Sequence, residues 1–180
     1  MILVDLRNAI VSGIGTGISS LREVKSHGGR FTLSEIKAIA ARSPSVRVAC
    51  LGIPGIEQTS TCIQADVMWG AFVVCGDQAG APRDSLALDL VTGLAAIIPT
   101  ATWGLDESVD GASQVRADNL FSRDIDRIGV ALWAVTWRHT VDIDPTDISS
   151  LNDFLRAYVD WDINQDGETD ASDIISLPAD

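Results

Sequence analysis

Histidines, cysteines and glycine-rich turns are where chemistry would first be sought, and this chain has few of them. Its two histidines are His27, beside a Gly-Gly turn, and His139, near the end of an apolar run. Neither comes with a nucleophile pattern or metal-ligand spacing nearby. There is no Gly-x-Ser-x-Gly, no P-loop and no Cys-x-x-Cys. Cys50, Cys62 and Cys75 are spaced by 12 and 13 residues, which matches no metal set. Each lies in a strand-like apolar run, so they are expected to be small buried hydrophobes, reduced as in a protein made in a cytoplasm. Gly13-Ile-Gly15-Thr-Gly17 has the texture of a phosphate-cradling loop. A dinucleotide fingerprint, however, follows a strand and opens a helix. This one follows a helical pattern and leads into the strand-like Leu21 to Ser26, so a flexible connector is expected. No catalytic role is expected for the chain.

The most pointed constellation is Asp162-Ile-Asn164-Gln-Asp166-Gly167-Glu168-Thr169-Asp170-Ala-Ser-Asp173. Oxygen ligands stand at loop positions one, three, five, nine and twelve, with glycine at six, as in a calcium-wrapping EF-hand loop. Ending in Asp rather than Glu, it resembles the dockerin variant. Against this, Thr169 replaces the usual small apolar residue, Pro178 cuts short any exiting helix, and no second loop accompanies it. The upstream Asp142 to Asp147 lacks both glycine and spacing. Two readings stand. Asp162, Asn164, Asp166 and Asp173 hold calcium in an adhesion or scaffolding module, or they form an acidic Asp-Gly turn that binds nothing. No other cofactor is indicated.

Charge narrows the partners. Of the 25 acidic residues, 11 fall in residues 140–180 against Arg156 alone, whereas residues 1–139 hold 14 acids and 12 bases. So acidic an end repels phosphate and does not suit nucleic-acid binding. A solvated tail, a docking strip for a basic partner, a cation site, or the wall of a channel through which DNA slides all remain open.

The elements that must carry these residues are arranged around Ile128 to Val141. Ala131, Trp133, Val135, Trp137 and Val141 line one face of this β-prone run. Ile128, Val130, Leu132 and Ala134 line the other before it turns polar at Thr136, Arg138 and Thr140. That pattern predicts a strand starting deep in a core and ending near the surface or a partner. A second long strand, Thr61 to Cys75, is expected beside it, with Ile63, Ala65, Val67, Trp69, Ala71, Val73 and Cys75 on one apolar face.

Before these strands, Ile2, Leu3, Leu6, Ala9 and Ile10 predict an amphipathic helix ending near Gly13. Thr32 and Glu35 form a capping box with Phe31 and Ile36 as its staple, starting a helix that presents Leu33, Ile36, Ile39 and Ala40 inward. Val46, Val48 and Cys50 then make a short strand stopping at Gly52 to Gly55. Pro82 opens a further helix with Leu86, Leu90, Val91, Leu94, Ile97 and Ile98 as its buried stripe.

Residues 100–127 are expected to be a long loop or protruding hairpin. Its alternating Arg116, Asp118, Arg123, Asp124, Asp126 and Arg127 suit either a polar subunit interface or a solvated loop. After the central strand, Ile148, Leu151, Phe154 and Leu155 suggest a short helix. Tyr158 to Ile163 and Asp173 to Leu177 suggest a hairpin across Asp166-Gly167. The chain of 180 residues, 46% of them hydrophobic, is thus read as a soluble α+β protein. A core domain covers 1–143, and an acidic helix-and-hairpin segment, 144–180, is expected to pack on it. Asp5 and Arg7 interrupt any signal-peptide core, and the apolar runs are too short to cross a bilayer. No membrane role is expected.

Taken in order, the opening helix, the capped helix leading into SPSVRVACLGI, the DSLALDLVTGLAAII helix, the IDRIGVALWAVTWRHTVDI strand and the LNDFLRAYVDWDI segment resemble the tail-terminator (tail completion) family of Mu-like bacteriophages. The likeness is one of order and spacing over most of the chain, with no single diagnostic motif. It implies a mixed, largely antiparallel sheet with helices packed against it, in a subunit that forms a homohexameric ring. It also implies a place in the virion, at the head-proximal end of the tail, after synthesis in the host cytoplasm. The implied partners are the tail tube protein below and the head-tail connector (stopper) above, with genomic DNA passing through the lumen unbound.

Overall fold

The computed structural model describes residues 1–59, 62–78 and 80–143, together with the backbone of 156–161 and 171–176. Eleven elements follow in order: α1 (Ile2–Gly17), β1 (Glu23–Ser26), α2 (Leu33–Ala40), β2 (Ser45–Gln58), β3 (Ile63–Gly76), α3 (Arg83–Ile97), β4 (Ser113–Asn119), α4 (Arg123–Arg127), β5 (Val130–Ile143), β6 (Arg156–Trp161) and β7 (Ala171–Ser176). The chain divides into two units, Met1–Pro145 and Thr146–Asp180.

The first unit is built on a five-stranded sheet of order β1-β2-β3-β5-β4. Only the β1–β2 pair is parallel; the other three pairings are antiparallel. The fold is therefore α+β, with a mixed and mostly antiparallel sheet. β5 and β3 pair without interruption from Gly76↔Val130 to Ile63↔Ile143, which sets their apolar alternation in phase. The first face of the sheet carries Val46, Val48, Ala65, Val67, Trp69, Ala71, Val73, Ala131, Val135, Trp137 and Val141, packed with Leu6, Ile10 and Ile14 of α1 and Ala87, Leu90 and Leu94 of α3. Trp69 and Trp137, opposite each other across the strands, are its largest fully buried side chains. At about 1.5–3 kcal/mol for each large apolar side chain removed from water, this face supplies most of the stabilisation. On the second face, Ile36 and Ile39 of α2 and Ile125 of α4 cover Val74, Val130 and Leu132.

Several local expectations need correction. α1 does not end near Gly13; it runs on to Gly17, so the glycine triplet is helix rather than connector. The reason is close packing: a Cβ on Gly13 would lie 2.5 Å from Trp103 Cε3, and one on Gly17 would lie 3.4 Å from Ile97 Cδ1. The capping box at Thr32 is present, with Thr32 N–H donating to Glu35 Oε2 at 2.8 Å. Leu33 nevertheless points outward, 46% exposed, because the helix is short and its buried side is made by Ile36, Ile39 and, in part, Ala40.

β2 does not stop at Gly52. It shifts register twice between Cys50 and Gly55 and continues to Gln58, a bulge letting Gly52 and Pro54 sit in a strand that β1 pairs only as far as Val48. Residues 100–127 are neither simple loop nor free hairpin. They form a strap, 100–112, then the edge strand β4 and the short helix α4, whose N-cap Ser122 accepts from Ile125 N–H at 3.2 Å. Of the cysteines only Cys75 is buried; Cys50 is exposed and Cys62 half-buried, so the expectation of three buried thiols holds for one.

In the second unit, β6 and β7 pair antiparallel from Arg156↔Ser176 to Trp161↔Ala171. The turn expected at Asp166-Gly167 lies outside the described residues. The helix expected around Ile148 to Leu155 lies outside the described residues.

Candidate functional site

Both histidines have structural partners. His27 Nδ1 accepts from Gly29 N–H at 3.0 Å, and its ring stacks on Phe31 with centroids 4.0 Å apart. Phe31 meets Phe72 edge-on at 4.9 Å, so His27 closes the turn and caps a small aromatic cluster. His139 is fully buried on the first face of the sheet. Its Nε2 accepts from the Trp103 indole N–H at 3.0 Å, and its Nδ1 lies 2.7 Å from the Asp110 carbonyl oxygen. A carbonyl only accepts and an indole only donates, so the proton sits on Nδ1 and the ring is neutral. Burial pushes its pKa down, partly opposed by Asp110. Burial likewise pushes the Cys75 thiol up to about 12, which leaves it inert.

The surface is richer than the interior. α2 and α4 cover only the part of the second sheet face near Val130 to Ala134. Beyond them, among the described residues, lies a half-buried polar field in which Arg138 Nη1 meets Asp66 Oδ2 at 2.6 Å and Gln64 Nε2 donates to Asp142 Oδ1 at 2.9 Å. On β4, Arg116 Nη2 pairs with Asp118 Oδ1 at 2.8 Å. Met68, Gln114, Arg116, Asp118, Thr136 and Arg138 line a shallow groove of about 350 Å³ there. Each arginine in it already holds a carboxylate, Asp118 for Arg116 and Asp66 for Arg138. The arrangement suits a partner's polar surface better than a small substrate.

The six proposed interface residues are thereby divided. Arg116 and Asp118 face solvent on β4, bonded to each other. Asp126 is tied to Arg83 Nη2 at 2.6 Å, and Arg83 also holds Asp77 at 3.2 Å, which fastens α4 to the start of α3. Arg123, Asp124 and Arg127 are exposed around the same short helix. Near them Phe121 is an apolar tip, 66% exposed.

Sequence reasoning missed the carboxylate at Glu23. It receives Lys25 Nζ at 2.6 Å, Arg42 Nη1 at 3.1 Å and the nearly buried Arg47. These contacts, Lys25 first, pull its pKa down to about 2 despite partial burial. Arg47 alternates with apolar neighbours in β2, a pattern that normally places a charge in solvent. Only the parallel pairing with β1 brings the carboxylate to it.

Among the described residues no three His, Cys, Asp or Glu side chains gather closely enough for a metal. Asp162, Asn164 and Asp166 lie outside those residues, and Asp173 is described only by its backbone, opposite Val159 in β7. No described helix is long and apolar enough to cross a membrane.

No protein-family model matches the chain, and no curated protein matches it. Among solved structures, a chain from "Virion of native gene transfer agent (GTA) particle" is similar at a TM-score of 0.42 and 11% identity, over 77% of this chain and 98% of that one.

Proposed function

We propose that this chain is a structural subunit of a phage-type virion and, more narrowly, a tail terminator. Six copies would close into a ring on the head-proximal end of the tail tube, stop tube polymerisation and offer the surface to which the head-tail connector joins. The observation that carries the reading is the order and spacing of elements resembling that family: α1, the capped α2 leading into β2, α3, and β5 at the centre. The sheet geometry is compatible with it. A ring needs two different surfaces on each subunit. The sheet has β4 at one end and, at the other, the stretch of β2 past Val48 that β1 does not pair. The acidic residues 140–180 would suit the wall of a lumen that DNA crosses without being held by its phosphates.

The test is native mass measurement with negative-stain imaging of the purified chain, first with calcium and then with chelator. Six-membered rings indifferent to chelation are expected. A monomer whose shape or stability follows calcium would replace this reading by the calcium-binding module. An indifferent monomer that also fails to cap isolated tube ends would overturn it.

A further inference from the structure

The first face of the sheet is covered at one end by α1 and α3. Near Val67, His139 and Val141 it is covered by the strap, residues 100–112. Trp103, Leu105 and Val109 of the strap pack on that core. Its backbone runs beside the end of β5, with Asp110 N–H donating to Thr140 O at 3.0 Å and Asp142 N–H to Ser108 O at 2.8 Å. The side-chain tie to the sheet is His139, held between the Trp103 indole and the Asp110 carbonyl.

We propose that Trp103, His139 and Asp110 form a pH-sensitive latch that closes the strap over the apolar face at neutral pH and releases it in acid. The sign follows from the donors. Neutral His139 accepts at Nε2 and donates at Nδ1. A second proton, taken from solvent, lands on Nε2 and leaves two donors facing each other, because the indole nitrogen cannot accept. Around the ring, β3 contributes Val67, β5 contributes Trp137 and Val141, and the strap contributes Trp103 and Asp110. Among the described residues the charge acting on the ring is the Asp110 carboxylate, whose pull is smaller than the opposing effect of burial. The charged ring is therefore disfavoured while the strap is closed and favoured once water reaches it, so protonation and opening are coupled. Two further groups on this face favour opening. The buried indole nitrogens of Trp69 and Trp137 have no acceptor, a deficit that incoming water relieves.

Hydrogen exchange of the full chain, corrected for the intrinsic effect of pH, tests this between about pH 7.5 and about pH 5, where histidine is the side chain expected to titrate. Exchange of 100–112 should rise about tenfold towards acid while α1 and β3 stay protected. His139→Gln, whose amide can accept from Trp103 and donate to Asp110 but cannot titrate, should remove the step. Persistence of the step in that variant, or its absence from the unaltered chain, would overturn the proposal. If the variant does not fold, imidazole nitrogen signals of the unaltered chain serve instead. Ring protonation and strap-amide shifts should share one midpoint, and a ring that titrates with the strap unmoved would overturn the latch.

Discussion

Glu23 shows how one residue can matter more than its place in the sequence suggests. Its carboxylate holds Arg47, whose side chain is only 8% exposed, so removing the charge leaves a guanidinium with little water and only neutral acceptors, the Val46 carbonyl and the amide oxygen of the new glutamine. Glu23→Gln should cost about 1–2 kcal/mol at neutral pH, at the lower end for a hydrogen-bonded charge because the glutamine amide oxygen can still accept from Arg47. Glu23 titrates lower in the folded chain, near 2, than its ordinary 4.5. The stabilisation is therefore complete above the ordinary value and is lost as pH falls from there through about 2. Urea midpoints of the two proteins should differ at pH 7 and converge in strong acid. A gap that stays constant across that window would mean that the lost contact is steric rather than ionic.

At the scale of elements, α1 offers a paired prediction. A Cβ on Gly13 would lie 2.5 Å from Trp103 Cε3, whereas a Cβ on Gly15 would meet only Val24 Cγ2, at 3.8 Å. Gly15→Ala should stabilise by up to about 1 kcal/mol through helix propensity alone. Gly13→Ala gains the same propensity but must displace Trp103, so it should destabilise by about 1–3 kcal/mol. Thermal melts of the two variants should shift in opposite directions. The pair also shows where sequence reading stops. The stripe Leu6, Ile10 and the capping box Thr32 to Glu35 are local signals, as are the alternating faces of β3 and β5, so those elements could be read directly. That Gly13 to Gly17 is helix depends on a tryptophan some ninety residues on. That 113–119 is an edge strand depends on β5 offering it a register, Arg116↔Thr136 and Asn119↔Trp133. Long-range partners decide such segments, and their own residue types do not name the partner.

For the whole molecule, the question is whether the open edge of the sheet carries assembly. Arg116 and Asp118 are 69% and 42% exposed and bonded to each other, and exposed pairs of this kind contribute little to folding. Exchanging them, Arg116→Asp together with Asp118→Arg, keeps the local pair and the net charge of −12 while reversing the order of charge that β4 presents outward. Nothing in the fold of the isolated subunit depends on that order, so its thermal melt should be unchanged. In the proposed ring a neighbouring subunit would read the order, since juxtaposed like charges disfavour a wrong match. Under the ring proposal the double exchange should raise the protein concentration needed for assembly by about tenfold or more, with stronger loss at low salt, where screening is weakest. Rings that form as readily as before would remove β4 from the interface and shift attention to Arg123, Asp124 and Arg127 around α4. A lowered melt would instead show that the pair serves the fold of the subunit.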